Sequence, residues 1–105
     1  YPTLEVVTGS ADPAGFDIVV NATPLGMKAG DPLPINVERI PPHAYVGEVV
    51  LSAGVTPFLA AARARGCQGQ GGLDMLYEQI PAYLAYFGLP VATPGQLRAL
   101  ANPMA

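Results

Sequence analysis

The sequence predicts an α/β fold, an open parallel sheet with flanking helices, and three observations carry that expectation. Asp17-Ile18-Val19-Val20 is a short apolar run of the kind a strand shows when both its faces are covered, and it ends abruptly in Asn21-Ala22-Thr23-Pro24. Ala44–Leu51 is a second such run, followed by a Thr56-Pro57 step that opens an apolar-faced helix. Leu73, Leu76, Ile80, Leu84 and Phe87 recur at spacings of three and four, the stripe of a long helix.

Taken in order, Leu4–Val7 is a short strand candidate closed by the turn residues Thr8-Gly9-Ser10, and residues 17–21 form the second strand. Lys28 to Pro34 is a Gly- and Pro-rich loop hostile to helix and to central strand. Val37–Ile40 has room for one turn before Pro41-Pro42 stops it, and residues 44–51 form the third strand. The helix over 56–65 carries Arg63 and Arg65 in its last turn, where cations suit the helix dipole, and Gly66 ends it. Gln68 to Gly71 is read as a very short strand. The long helix covers 73–87, with Gly88 as its stop, Pro90 beyond and a kink expected at Pro81. Thr93-Pro94 caps a last helix over 94–101. The order lacks the opening strand–helix–strand unit of a full doubly wound domain. The chain starts without Met and runs almost at once into a strand candidate, so a piece of a larger protein is expected.

At 105 residues, half apolar and 12% charged, the chain has the composition of one small globular domain. A formal charge of −3 argues against nucleic acid and anionic membrane surfaces as partners, and Lys28 is the only lysine. No apolar run approaches the roughly 18 residues that cross a bilayer. Cys67 is alone, which rules out an internal disulfide and a cysteine-cluster metal site; no metal is expected, and a reducing cytoplasm is the default compartment. His43, also alone and following two prolines, is read as a loop residue.

Ligands of open α/β sheets bind at the carboxyl ends of the strands. Asn21 and Thr23 stand at such an end, with donors and acceptors for a ligand; the plainer alternative is a polar cap on a buried strand. Gly69-Gln70-Gly71-Gly72 has a superficial likeness to a phosphate loop but lacks the Lys-Ser/Thr ending and the strand–turn–helix context. Lys28, in a flexible loop with Asp31 nearby, is a surface lysine rather than a tuned catalytic amine. Asp74 is read as a helix N-cap, and Tyr77, Tyr83 and Tyr86 as packing residues with wet hydroxyls.

Four motifs in fixed order go further: Asp17–Met27, then Glu48-Val49-Val50-Leu51, then Thr56–Cys67, then Gly72-Leu73-Asp74-Met75-Leu76 with Gln79. Together they resemble the C-terminal half of shikimate dehydrogenases and their shikimate dehydrogenase-like paralogues, over nearly the whole chain. The resemblance implies a partial Rossmann-like fold that begins after the glycine-rich turn. It implies an oxidoreductase using NADP, or in some members NAD, on 3-dehydroshikimate and shikimate or on related ring hydroxy acids such as quinate. The catalytic Lys–Asp pair of the family lies on another domain, toward which the last helix returns. Carried onto this chain, the family pattern makes Asn21, Ala22, Thr23, Val49, Gly72 and Met75 cofactor neighbours and gives Gln79 the substrate's ring hydroxyls. Met75 and Gln79 are four apart and share one helix face, and a glutamine amide both donates and accepts. Met75 remains equally readable as core filler, and Gln79 as a solvated helix residue.

Three departures stand out. Leu51 occupies the position of a substrate-binding tyrosine, Gly71-Gly72-Leu73-Asp74-Met75 replaces Asp-Gly-Leu-Gly-Met, and Glu48 replaces a common aspartate. The missing phenol and the added charge of Asp74, close to where a carboxylate-bearing substrate is expected, point to a paralogue with an altered substrate. Alone, the chain is expected to be inactive and to bind NADP weakly or not at all. The competing expectation is a non-catalytic assembly module that self-associates through an open sheet edge.

Overall fold

A computed structural model describes residues 1–52 and 54–101. Its sheet has, among those residues, three strands: β1 (Ile18–Asn21), β2 (Tyr45–Glu48) and β3 (Gln68–Gln70). All pair in parallel in the order β1-β2-β3, with Val19 beside Val46 and Val46 beside Gly69. Helices α1 (Pro57–Ala64), α2 (Gly72–Tyr86) and α3 (Pro94–Ala101) complete it, with a 3-10 turn at Val37–Arg39 before β2. This is the open parallel α/β arrangement expected from the sequence.

Each helix start has a local cause. Thr56 accepts from the Leu59 N–H at 3.2 Å while Pro57 fills the first helical position, so α1 starts where that pair predicts. Thr93 and Gln96 form a reciprocal cap on α3, the Thr93 hydroxyl accepting from the Gln96 N–H at 3.2 Å and the Gln96 side chain from the Thr93 N–H at 2.9 Å. α2 runs unbroken through Pro81.

The core lies on one side of the sheet. Val37, Ile40, Ala44, Val46, Phe58, Leu59, Ala62 and Cys67 are buried together, with Val19, Ile35 and Ala61 packed against them. Arg65 closes this layer by donating through Nε and a terminal nitrogen to the Ile40 carbonyl at 3.1 and 2.9 Å. Asp12 does the same for the N-terminal segment, pairing with Arg39 at 2.7 and 3.0 Å. The Arg39 guanidinium, with the Ala14 N–H, holds the Asp12 carboxyl below its ordinary pKa.

Two expectations fail here. Leu4–Val7 forms no strand: Leu4 is 62% exposed, Val6 81% and Val7 74%, because a four-residue β run gains a ladder only from a neighbour and none of the described strands lies beside it. Nor is β1 covered on both faces. Val19 and Asn21 point toward α1, but Ile18 is 68% exposed and Val20 56%, because α2 packs on α3 and does not return over that face. The α2 stripe is correspondingly half-buried over Leu73, Leu76, Ile80 and Leu84, and Phe87 lies in the open.

Candidate functional site

The carboxyl edge of the sheet gathers residues from three separate segments. Asn21 ends β1, and its carbonyl accepts from the Val49 N–H at 3.1 Å, one residue past β2. Gly72 opens α2 directly against this point: a Cβ on it would stand 2.5 Å from the Val50 carbonyl oxygen and 2.6 Å from that of Val49. Only a residue without a side chain lets the helix start there. The glycine run of 69–72 therefore serves close packing, since a Cβ on Gly69 would collide with the Val46 carbonyl. Asn21, Val49 and Gly72 are thus contiguous.

Asn21 does not offer its side chain to a ligand. It is 3% exposed, and its amide is fully engaged. Nδ2 donates to the Leu25 carbonyl at 3.0 Å and to Glu48 Oε1 at 2.9 Å, while Oδ1 accepts from the Thr23 N–H at 3.0 Å and the Thr23 hydroxyl at 2.6 Å. The Thr23 hydroxyl also accepts from the Leu25 N–H at 3.2 Å. Further along, Asp31 accepts from the N–H groups of Gly26 and Lys28, both at 3.0 Å. Residues 21–31 are a loop tied by its own side chains, with Ala22 and Thr23 exposed at its start.

Beneath this loop sits Glu48, 3% exposed, whose second oxygen accepts from the Thr56 hydroxyl. A carboxylate in a strand reads as a solvent-facing residue, so sequence reasoning noted Glu48 only as a substitution. Its hydrogen-bond partners are the one feature that marks it, and they lie 27 and 8 residues away.

Of the other expected site residues, Val49 and Met75 are half-buried, and Leu51 is 56% exposed two residues beyond Val49. Met75 follows Gly72 by one turn. Gln79 lies about 10 Å along α2 from Gly72, exposed, and accepts from the Tyr83 hydroxyl at 2.8 Å. Asp74 is not the cap of α2. Gly71 occupies that position with no side-chain bond, and Asp74 falls in the first turn. There it meets Arg98 of α3 at 3.5 Å, while Arg98 also donates to Glu78 at 3.0 Å and lies over the Tyr77 ring. The Glu78 hydrogen bond, reinforced by both carboxylate charges, raises the Arg98 pKa. The negative charge that Asp74 adds is therefore engaged within the fold. His43 pairs with Asp17 at 2.9 Å, at the opposite, amino end of the strands.

Three hollows border the loop: about 130 Å³ under Leu25–Pro34, about 100 Å³ beside Asn21 and Phe58, and a shallower one of about 430 Å³ against Pro24, Leu25, Met27, Lys28 and Asp31. The first two are below the range of small-molecule pockets, and the third, on the outer side of the loop, is within it. Among the described residues no helix is long and apolar enough to cross a membrane, and no cluster of His, Cys, Asp and Glu is placed to hold a metal.

No protein-family profile matches the chain. Individual proteins do. A shikimate dehydrogenase (NADP(+)) of Acidiphilium cryptum (strain JF-5) is 43% identical over 94 residues, 88% of this chain and 34% of that protein. Over this stretch the chain is similar to shikimate dehydrogenases, at about 40–44% identity across most of its length. Among solved structures, shikimate 5-dehydrogenase from Thermus thermophilus, in complex with NADP(H) and shikimate, superposes with a TM-score of 0.73 at 27% identity, covering 89% of this chain and 36% of that one. Quinate dehydrogenase from Corynebacterium glutamicum in complex with NAD gives 0.69 at 32% identity, covering 84% and 32%. The chain thus spans about a third of the length of the shikimate dehydrogenase family members it matches, and its three parallel strands form part of their Rossmann-like sheet.

Proposed function

We propose that this chain is part of the nicotinamide-nucleotide domain of an NADP-dependent shikimate dehydrogenase-like oxidoreductase, acting on 3-dehydroshikimate and shikimate or a related ring hydroxy acid. One observation carries it: Gly72 seated on the Val49 carbonyl beside the end of β1, which joins Asn21, Val49 and the start of α2 into one surface at the carboxyl edge. A nucleotide suits this edge, because α2 opens after Gly71 with no side chain capping its first N–H groups. The nucleotide, NADP or in its place NAD, would carry the hydride, accepting it in the oxidised form from the ring alcohol and returning it in the reduced form to the ring ketone. Ala22 and Thr23 present backbone along it, Val49, Gly72 and Met75 line the nicotinamide half, and Gln79 holds ring hydroxyls of the substrate beside Leu51. The proton-moving lysine belongs to another part of the whole enzyme, which works in a reducing cytoplasm without nucleic acid or membrane as partner. Residues 1–105 alone are inactive.

The test is NADP⁺ reduction with shikimate and with quinate, by the whole natural protein carrying this chain and by residues 1–105 alone. Turnover by the whole protein only is the expected result. Turnover by residues 1–105 overturns the inactive-fragment reading, and no turnover of any ring hydroxy acid by the whole protein overturns the enzyme reading.

The exposed Ile18 and Val20 face and the outer edge of β1 favour a second reading, self-association of the chain through that edge. Sedimentation of residues 1–105 as a clean monomer across micromolar concentrations counts against it.

A further inference from the structure

Glu48 makes none of the contacts assigned above to nucleotide or substrate, yet it is a carboxylate buried to 3% exposure at the end of β2. Burial of such a group is tolerated only where its oxygens are hydrogen-bonded, and here the two oxygens serve different elements. Oε1 accepts from Asn21 Nδ2 at 2.9 Å, and Oε2 accepts from the hydroxyl of Thr56. We propose that Glu48 is the positioning residue of the Asn21–Met27 loop, fixing it in the shape that meets a nicotinamide nucleotide. The last clause rests on the nucleotide reading above; the positioning itself does not.

The bond pattern separates shaping from anchoring. The Asn21 bonds to Thr23 and Leu25 lie within the loop and would move with it. Beyond the strand ladder, the bond to Glu48 is the one by which the Asn21 side chain reaches another element. Glu48 is in turn held by Thr56, which its bond from the Leu59 N–H fixes as the cap of α1. Gly26, at φ +105°, folds the loop back over the carboxylate, where a Cβ would stand 3.5 Å from Oε1. Both groups facing Glu48 donate, so the site demands two acceptors. A glutamine amide keeps one acceptor for Asn21 Nδ2 but turns its NH₂ to the Thr56 hydroxyl, which must then accept, so both bonds lose the carboxylate charge that strengthens them.

The single lysine, Lys28, makes the loop's opening measurable, because a lysine-specific protease has one bond to cut in the native chain. Glu48→Gln is expected to speed native-state cleavage at Lys28 roughly tenfold or more, as loss of a buried charge-assisted hydrogen bond does. Glu48→Asp, which keeps both acceptors one methylene further back, is expected to speed it less. Ala62→Gly, a core change in α1, lowers the melting temperature without favouring this loop and serves as the control. Equal acceleration by Glu48→Gln and by a control of equal melting temperature overturns the proposal, as does Glu48→Asp behaving like Glu48→Gln. Should Glu48→Gln fail to fold, Thr56→Val removes the Oε2 partner together with the α1 cap, and cleavage no faster than in an α1-destabilised control such as Ala62→Gly, matched in melting temperature, is then the overturning result. NADP⁺ titration of the whole protein is scored separately: absence of binding there removes the nucleotide reading and leaves the cleavage rates to decide the role of Glu48.

Discussion

Gly72 lies so close beneath the Val49 carbonyl that a methyl group on it would stand 2.6 Å from the oxygen. The contact is backbone on backbone, so no rotamer change can relieve it. Gly72→Ala is expected to destabilise the chain by about 1–3 kcal/mol, the usual cost of overpacking, and to loosen the start of α2 from the sheet. Urea unfolding and amide exchange over Leu73–Leu76 check it; a wild-type midpoint would show that the close approach carries no weight.

Leu51 is 56% exposed, so a larger side chain fits there without disturbing the core. Leu51→Tyr is expected to leave stability within about 0.5 kcal/mol of the parent. On the proposed function, the whole protein carrying this change is expected to show kcat/KM for shikimate raised roughly 10- to 100-fold, the return on one recovered hydrogen bond to substrate. Steady-state kinetics of the variant with shikimate and quinate decide the matter. An unchanged preference would place substrate away from residue 51.

Arg98 joins α3 to Asp74, Glu78 and the Tyr77 ring across the face of α2. Its guanidinium and both carboxylates are well exposed, so Arg98→Ala is expected to move the global melting point little. Local opening is the expected effect, seen as faster amide exchange throughout α3 with α1 and β2 unchanged. A uniform change across all helices would contradict it.

The Asp12 carboxyl is held below its ordinary value of 3.8 by Arg39 and the Ala14 N–H. A carboxylate whose folded pKa is depressed stabilises the fold above its unfolded pKa and loses that contribution as pH falls through the folded one. Acid titration is therefore expected to release the segment around Asp12 only below pH 3.8, and Asp12→Asn to abolish that step while leaving neutral-pH stability nearly unchanged. NMR titration of the Asp12 and Ala14 amides reads it directly.

Cys67 is 5% exposed and its thiol donates to the Pro41 carbonyl at 3.5 Å. Thiol reagents are expected to modify it only at the rate of unfolding, so labelling should quicken in step with added urea. Rapid labelling of the native chain would contradict the burial.

Much of this was legible because it is local. The Thr56-Pro57 cap, the Thr93 cap and the end of β1 at Asn21 each depend on neighbours within a few residues, and the structure places them accordingly. What escaped was long-range. A buried Glu48 is recognisable only once Asn21 and Thr56 stand beside it, and Asp74 reads as a cap in sequence because its partner, Arg98, is 24 residues away. Leu4–Val7 and the outer face of β1 were misjudged for the complementary reason: apolar, β-prone residues state a preference for cover, and the cover has to come from another element.

The Glu48 junction also sets an order of events during folding. Thr56 lies 8 residues from Glu48 but Asn21 lies 27 away across the β1–β2 pair, so the Asn21 half of the junction is expected to form after the Thr56 half. The loop from Asn21 onward is therefore expected to settle after β1 and β2 have paired, so a newly made molecule gains its stable interior before this edge takes its final shape.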